Sequence, residues 1–329
     1  MEPTRRLLLT RAAAFGALPF AATACTLATA FPPPRFTLAR AAPIELPCRI
    51  SPGGMVLLRG RVDGRAETWF ALDTGAPVTV LIDGPRSAAL GLDSRGARKL
   101  GPEDDPAAPV GVIRPGVEIS FDGQLSLAGL SVVVIPHATL GCPDRFDAAG
   151  FDGVIGSDLM RRFVVEIDAA MLRVRLHEPA AFAVPAGWET LPLEVDRGGH
   201  MFVGAQLLAD AGVPPLPVRL HVDTGKAGAL TLRLGSHPAI IVPAGAQRRE
   251  TCFVSGRRPL LHADQALQLR FGSLGVRVEQ PTYAEQGDEA MRRSTHHGTI
   301  GMPLLAPHGP IVDVPGRRLL LRREAIATT

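Results

Sequence analysis

The tripeptide Asp-Thr-Gly occurs twice in this 329-residue chain, each time directly after an apolar, strand-like run. The first copy, residues 73–75, lies in WFALDTGAPVTVL, and the second, residues 223–225, lies in VRLHVDTGKAGALTLRL. An Ile-Gly step follows at a similar distance in both cases, after 83 residues (73 to 156) and after 78 residues (223 to 301). A chain with two such markers at matched spacing is constrained to fold as a repeat.

A third marker extends the repeat. Asp168 and Asp313 each stand twelve residues beyond the glycine of their Ile-Gly step, between two apolar strand-like runs. Together the matched spacings predict two homologous halves. We place the first half at residues 44–178 and the second at residues 191–325, joined by a linker over residues 179–190, with a further linker over residues 31–43.

Composition and local pattern favour short strands over helices. Gly and Pro number 35 and 30, and aromatic residues make up 5% of the chain, which is typical of many strands and turns. Alternating residues predict a hairpin of strands 55–62 and 66–72 that turns at Asp63-Gly64. Residues 84–92 predict a short helix, and residues 101–111 an exposed loop. The expected class is all-β.

The N-terminus has the pattern of an export signal. Arg5 and Arg6 precede leucines and an Ala-rich apolar run, and the small residues that end at Ala30 resemble a cleavage site. The arginine pair is typical of a twin-arginine signal over residues 1–30. Cys25 offers an alternative, a lipoprotein box, so that the only expected membrane contact is a lipid anchor. The sequence therefore predicts a bacterial periplasmic or exported protein, with or without that anchor.

Several classes of function are excluded or unsupported. The formal charge of +3 includes arginines of the predicted signal, so no nucleic-acid partner is expected. No P-loop, dinucleotide-binding glycine pattern or serine-nucleophile elbow occurs, and no His or Cys spacing supports a metal site, including the His296-His297 pair. Three cysteines would follow the signal, and any one pairing of them, or none, is compatible with their spacing: Cys48, Cys142 and Cys252.

The two aspartates suggest a shared acid–base site. If the halves pack about a pseudo-two-fold axis, the Asp73 and Asp223 carboxyls meet at that axis. Two carboxyls a few ångströms apart cannot both ionise, so they share a proton. One can then activate water as a base while the other protonates a carbonyl as an acid. A carboxyl pair that shares one proton is the established chemistry of the aspartic proteases.

The motifs resemble those of a known family. LDTGAPVTVL, DGVIGSDLM and FVVEIDAAMLRVRL are similar to the retropepsin-like aspartic proteases, and the two-copy arrangement is similar to the pepsin-like members. The resemblance implies a bilobal acid-protease fold, with two homologous retropepsin-like β-barrel lobes related by a pseudo-two-fold axis. It also implies a monomeric aspartic endopeptidase that acts on peptide or protein substrates and needs no metal or organic cofactor. In it, Asp73 and Asp223 would be catalytic, and the supporting loop residues would be Thr74, Gly75, Ala76, Thr224, Gly225 and Lys226.

One residue departs from the family pattern. The position after Asp-Thr-Gly is usually small, as Ala76 is, whereas the second copy has Lys226, one of only two lysines in the chain. An ammonium close to the dyad favours the charged carboxylate and would shift the working pH or silence the site. Alternatively, its long stem carries the charge away to solvent. The sequence leaves open an active endopeptidase or a non-catalytic peptide-binding protein of the same fold.

Overall fold

The computed structural model describes residues 33–100, 109–208, 214–253, 256–285 and 296–324, and it belongs to the all-β class. Within these residues the chain forms 23 strands, three α-helices and four short 3₁₀ helices. The predicted signal with Cys25, and residues 101–108 of the predicted loop, lie outside the described residues. None of the described helices is long and apolar enough to cross a membrane.

The strands of the N-terminal half are β1 Arg35–Leu38, β2 Ile44–Ile50, β3 Val56–Val62, β4 Glu67–Leu72, β5 Val80–Asp83, β6 Arg98–Lys99, β7 Val110–Phe121, β8 Leu125–Pro136, β9 Gly153–Ile155, β10 Val164–Asp168 and β11 Arg173–His177. Those of the C-terminal half are β12 Trp188–Val195, β13 Met201–Leu208, β14 Leu216–Asp223, β15 Leu230–Arg233, β16 Gln247–Phe253, β17 Gly256–His262, β18 Leu267–Phe271, β19 Leu274–Val278, β20 Thr282–Ala284, β21 Gly298–Gly301, β22 Ile311–Asp313 and β23 Arg318–Arg322. The helices are α1 Pro143–Ala149, α2 Ser157–Met160 and α3 Met302–Leu305, with 3₁₀ turns at Pro85–Leu90, His137–Thr139, Pro179–Ala181 and Ala306–His308.

Six strands of the N-terminal half close into a barrel. Around the ring, β3 pairs with β4, β4 with β9, β9 with β5, β5 with β8, β8 with β7, and β7 returns to β3. Closure leaves no unpaired edge in the ring, and its inward side chains form the core. Phe70 and Phe121 meet there edge to face at 5.8 Å. The β3–β4 hairpin confirms the sequence prediction, and its turn at Asp63 and Gly64 has positive φ at both residues, as a primed turn requires.

The C-terminal half pairs its strands in the same order. β13 pairs with β14, β14 runs parallel to β21, β21 pairs with β15, and β15 runs parallel to β20. Where the N-terminal half has the long strands β7 and β8, the C-terminal half has the shorter strands β17, β18, β19 and β20. The parallel pairs β4–β9 and β14–β21 each place an Asp-Thr-Gly copy beside the strand that carries its Ile-Gly step.

A six-stranded antiparallel sheet joins the two halves, in the order β2, β11, β10, β22, β23, β12. At its centre β10 pairs with β22, with Val165 opposite Val312. The repeated aspartates end these two strands. Asp168 Oδ1 accepts the N–H of Met171 and Asp313 Oδ1 accepts the N–H of Gly316, so each carboxylate closes the turn to the next strand.

Both segments predicted as linkers contain strands, and the division of the chain into two halves stays a prediction. β12 begins at Trp188, inside the linker predicted over residues 179–190, and pairs with β23. β1 lies inside the linker predicted over residues 31–43 and pairs with β8. Flanking prolines and glycines suggested loops, whereas pairing with strands far along the chain decides the structure here. The helix predicted over residues 84–92 is confirmed as the 3₁₀ helix Pro85–Leu90.

The structure selects one of the cysteine pairings that the sequence left open. Cys142 and Cys252 form a disulfide, with Cα atoms 5.8 Å apart and a sequence separation of 110 residues. Cys142 precedes α1 in the N-terminal half, and Cys252 lies in the β16–β17 hairpin of the C-terminal half. The bond therefore ties that hairpin to the other half of the molecule. Cys48 is a free, buried thiol, and burial raises its pKa to about 12.

Candidate functional site

The structure brings the two Asp-Thr-Gly copies together. Asp73 directly follows β4, and its N–H donates to Ile155 O at 3.0 Å; Asp223 ends β14 opposite Gly301 of β21. The carboxyl groups of Asp73 and Asp223 lie close together, since a Cβ placed on Gly75 would be 3.0 Å from Asp73 Oδ1 and 2.9 Å from Asp223 Oδ1, and both side chains are half-buried. Strand pairing fixes the backbone on each side, so the meeting of the carboxyls is a property of the sheet framework.

The two threonines hold the copies in place through four crossed hydrogen bonds. Thr74 Oγ1 donates to Val222 O (2.6 Å) and accepts from Thr224 N–H (3.0 Å). In the reverse direction, Thr224 Oγ1 donates to Leu72 O (2.7 Å) and accepts from Thr74 N–H (3.0 Å). Both threonines are fully buried. Each hydroxyl therefore satisfies two main-chain groups of the opposite copy, which would otherwise be buried without a partner.

Replacing Thr224 by Val should lower the free energy of unfolding by roughly 2–6 kcal/mol, because it leaves Leu72 C=O and Thr74 N–H buried and unsatisfied at about 1–3 kcal/mol each. Valine keeps the shape of the side chain, so the loss reports the hydrogen bonds alone. Denaturant unfolding measures it. Thr37→Val, at an exposed position of β1, is the matched control and should stay within about 0.5 kcal/mol of the wild type. A Thr224→Val variant as stable as this control would refute the role of the crossed bonds.

The two glycines leave room for the opposite aspartate. A Cβ at Gly75 would lie 2.9 Å from Asp223 Cγ, and one at Gly225 would lie 2.5 Å from Asp73 Oδ2. Their N–H groups also point at a carboxylate, since Gly75 N donates to Asp73 Oδ1 at 2.7 Å and Gly225 N donates to the same oxygen at 3.2 Å. The glycines are therefore required by close approach at this site.

The glycines of the Ile-Gly steps have a related role that the sequence did not reveal. A Cβ at Gly156 would lie 2.5 Å from Ala76 O and 2.6 Å from Val78 O, and one at Gly301 would lie 2.5 Å from Lys226 O. These positions let the strand pass directly behind the loop that follows each Asp-Thr-Gly copy. Ser157 N donates to Ala76 O at 2.9 Å, and Gly301 N donates to Ala229 O at 3.0 Å, which fixes both loops.

A further polar contact behind the first loop was not among the sequence predictions. The Asp158 carboxylate accepts the N–H of Thr79 at 2.7 Å and its hydroxyl at 2.9 Å. Asp158 stands two residues after the first Ile-Gly glycine, where the second copy has Pro303, so the repeat carries no signal for it. Burial raises the pKa of Asp158, and the two bonds from Thr79 oppose that rise.

The electrostatics of the two aspartates differ. Burial raises the pKa of Asp73, and the donors Gly75 N–H, the Asp223 carboxyl and Gly225 N–H oppose the rise. Burial raises the pKa of Asp223 well above its ordinary value, and the charge of Asp73 and their mutual hydrogen bond raise it further. Because Gly75 N–H and Gly225 N–H both donate to Asp73 Oδ1, the geometry favours one proton on the pair with the negative charge on Asp73.

Ala76 and Lys226 make the two sides of the site unequal. The Lys226 N–H donates to Asp223 O at 3.2 Å, and its side chain is half-buried. Burial lowers the pKa of Lys226, and attraction to Asp223 opposes this; in return the lysine charge lowers the pKa of Asp223. The Lys226 charge thus favours the ionised form of Asp223, and the two alternatives that the sequence left open, a charge that acts on the dyad or one carried away to solvent, stay predictions.

The described residues contain no group of three or more His, Cys, Asp or Glu side chains that could hold a metal ion. His296 packs against Phe202 and His221, and His297 Nδ1 accepts the N–H of Arg219 at 2.9 Å. These histidines lie in ring contacts and main-chain hydrogen bonds of the C-terminal half.

Comparisons with known proteins do not extend the motif resemblance. No family model matches the chain, and no curated protein matches it. Basic 7S globulin from soybean is a solved structure similar to this chain, at 11% identity, a TM-score of 0.47, and coverage of 87% of this chain and 96% of that one. The assignment to the retropepsin-like or pepsin-like aspartic protease family is wrong. The motifs that suggested it are short, and no family model matches them. What the carboxyl pair does is argued below from its own geometry.

Proposed function

We propose that the chain hydrolyses internal peptide bonds, with Asp73 and Asp223 as the catalytic pair that activates water. The observation that carries the proposal is the close approach of two half-buried carboxyls inside a crossed network of main-chain and threonine bonds. A pair with one shared proton offers a base and an acid within reach of the same substrate carbonyl, which is what water addition to an amide needs. No metal or organic cofactor enters the proposal.

The proposed roles follow from the asymmetry of the pair. Asp73, with two main-chain N–H groups on one oxygen, is the ionised member and takes the proton of the attacking water. Asp223, whose pKa is raised by burial and by the charge of Asp73, donates its proton to the carbonyl oxygen as the tetrahedral intermediate forms. Asp73 then gives its proton to the leaving nitrogen while Asp223 takes a proton back from a hydroxyl of the intermediate, so that the C–N bond breaks, a new carboxyl group forms and the pair again holds one proton.

The proposal includes an arrangement of two homologous lobes, each carrying one aspartate, related by a pseudo-two-fold axis. The equal order of strand pairing in the two halves supports it, as does the antiparallel β10–β22 pair, which brings the same segment of each half side by side. An extended peptide would lie between the lobes. We keep export to the periplasm as part of the proposal, because a disulfide such as Cys142–Cys252 persists in oxidising compartments, and we keep a monomer acting on peptides or proteins.

The test is digestion of an unbiased peptide library by the purified protein from acid to neutral pH, in ¹⁸O-labelled water with methanol present. Direct attack by water gives new C-termini that carry ¹⁸O and no methyl ester, because no acyl-enzyme forms that methanol could intercept. Absence of cleavage at every pH would overturn the proposal, and methyl esters would overturn the mechanism.

Replacing Lys226 by Met should move the alkaline limb of the pH–rate profile to higher pH. The lysine charge lowers the pKa of Asp223, so its removal lets the pair keep the shared proton to higher pH. Lys226→Arg keeps the charge and is the matched control, expected to retain the wild-type limb. If the alkaline limb of Lys226→Met stays in place or moves to lower pH, the lysine charge does not control the protonation of the pair.

A non-catalytic peptide-binding protein is the second candidate, and the effect of Lys226 on Asp223 is the observation that favours it. In that case the lysine holds both carboxyls ionised and the shared proton is lost. Wild type would then cleave nothing, while Lys226→Met would gain cleavage. The same library digestion therefore separates the two candidates.

A further inference from the structure

Lys226 directly follows the second Asp-Thr-Gly copy, beside the carboxyl pair. Its main-chain N–H donates to Asp223 O, and its Cβ lies close to β21, since a Cβ at Gly301 would lie 3.1 Å from it. Its ammonium lies over Gly228, where a Cβ would come within 2.6 Å of Nζ. The ammonium therefore lies along the loop after β14, on the Asp223 side of the site.

The ammonium lacks a permanent counter-charge. Among the residues that the structure describes, Asp223 is the acidic group that acts on it, and no described carboxylate forms an ion pair with Nζ. Asp223 holds the shared proton in the proposed mechanism and is then neutral. The one negative charge of the pair then lies on Asp73, solvent provides the rest of the compensation for the ammonium, and a bound peptide would displace that solvent.

The surroundings on this side are basic as well. His262, at the end of β17, feels the positive charges of Arg249 and Lys226, which together with burial lower its pKa. Its Nε2 is buried and has no hydrogen-bond partner among the described residues. On the opposite side of the pair, the position that corresponds to Lys226 carries the uncharged methyl group of Ala76.

We infer that Lys226 is a specificity-determining residue that binds a carboxylate of the substrate, an Asp or Glu side chain close to the bond that is cut. The inference rests on the proposed peptide hydrolysis. A carboxylate at that place gives the ammonium a charge-assisted hydrogen bond just when the cleft excludes water. Because Ala76 offers no such partner, the preference falls on one side of the scissile bond only.

The experiment compares two peptide libraries that are identical except that Asp and Glu in one are Asn and Gln in the other. Wild type should cleave the acidic library with a kcat/KM about 10- to 100-fold higher, the range expected for one charge-assisted hydrogen bond. Lys226→Met should bring this ratio close to 1, Lys226→Arg should keep it, and Lys226→Glu should reverse it toward peptides that carry Lys or Arg. High salt should weaken the wild-type preference.

Binding of the same libraries to Asp73→Asn separates this inference from the proposed function. If wild type cleaves both libraries equally, and Lys226→Met binds and cleaves as wild type does, the inference fails while hydrolysis stands. A different result would separate the two the other way. In it, the wild type cleaves neither library, Asp73→Asn binds the acidic library more tightly than the neutral one, and adding Lys226→Met removes that preference. Hydrolysis would then fail while carboxylate recognition stands.

Discussion

Asp73→Asn is expected to reduce cleavage of internal peptide bonds by at least roughly two to four orders of magnitude, the contribution of a positioned general acid or base. Asparagine keeps the size of the side chain and can still accept from Gly75 and Gly225, but it cannot take a proton from water. Asp223→Asn should have an effect of the same order, since it removes the proton that the carbonyl oxygen receives. Initial rates on one peptide selected from the library measure both.

The matched control is Asp93→Asn, the same chemical change at an exposed carboxylate that pairs with Arg95 on the surface. It should leave the rate unchanged. Thermal unfolding of all three variants shows whether a loss of rate reflects chemistry or folding. If Asp73→Asn folds and retains wild-type cleavage, the observed hydrolysis does not use this carboxyl pair.

Gly225→Ala is expected to abolish cleavage as completely as the loss of an aspartate. The added methyl group would lie 2.5 Å from Asp73 Oδ2 and 2.7 Å from Oδ1, well inside van der Waals contact. Asp73 cannot move aside without giving up its bonds to Gly75 N–H and Gly225 N–H. The carboxyl pair must therefore separate or the loop must shift, and either change breaks the shared proton.

Gly204→Ala is the matched control, because a Cβ there meets no atom within 4 Å. It should retain wild-type activity and stability. Gly75→Ala tests the symmetry of the site, since its methyl group would lie 2.9 Å from the Asp223 carboxyl. If Gly225→Ala cleaves at the wild-type rate, the close packing of glycine against aspartate is not needed for function.

Local sequence pattern predicted the strand content and the β3–β4 hairpin because alternation and turn chemistry act over a few residues. The same pattern failed for β1 and β12, which lie in segments with linker-like composition. Each becomes a strand by pairing with β8 or β23, far along the chain. Strand propensity depends on such partners, which no local window contains.

The family assignment from short motifs failed for a different reason. A few matching residues determine the structure of a turn, but they leave the rest of the chain undetermined.

The sequence repeat by itself predicted equivalent surroundings for the two Asp-Thr-Gly copies. The distance from each copy to its Ile-Gly step is similar in the two halves, and similar distances favour the same order of strands. Only the tertiary structure decided how the copies meet. The threonine bonds join residues 150 positions apart, and the Cys142–Cys252 bond joins residues 110 apart. The raised pKa of Asp223 likewise depends on burial and on the charge of Asp73 from the other half. Such quantities are set by distance in space, and the sequence records only distance along the chain.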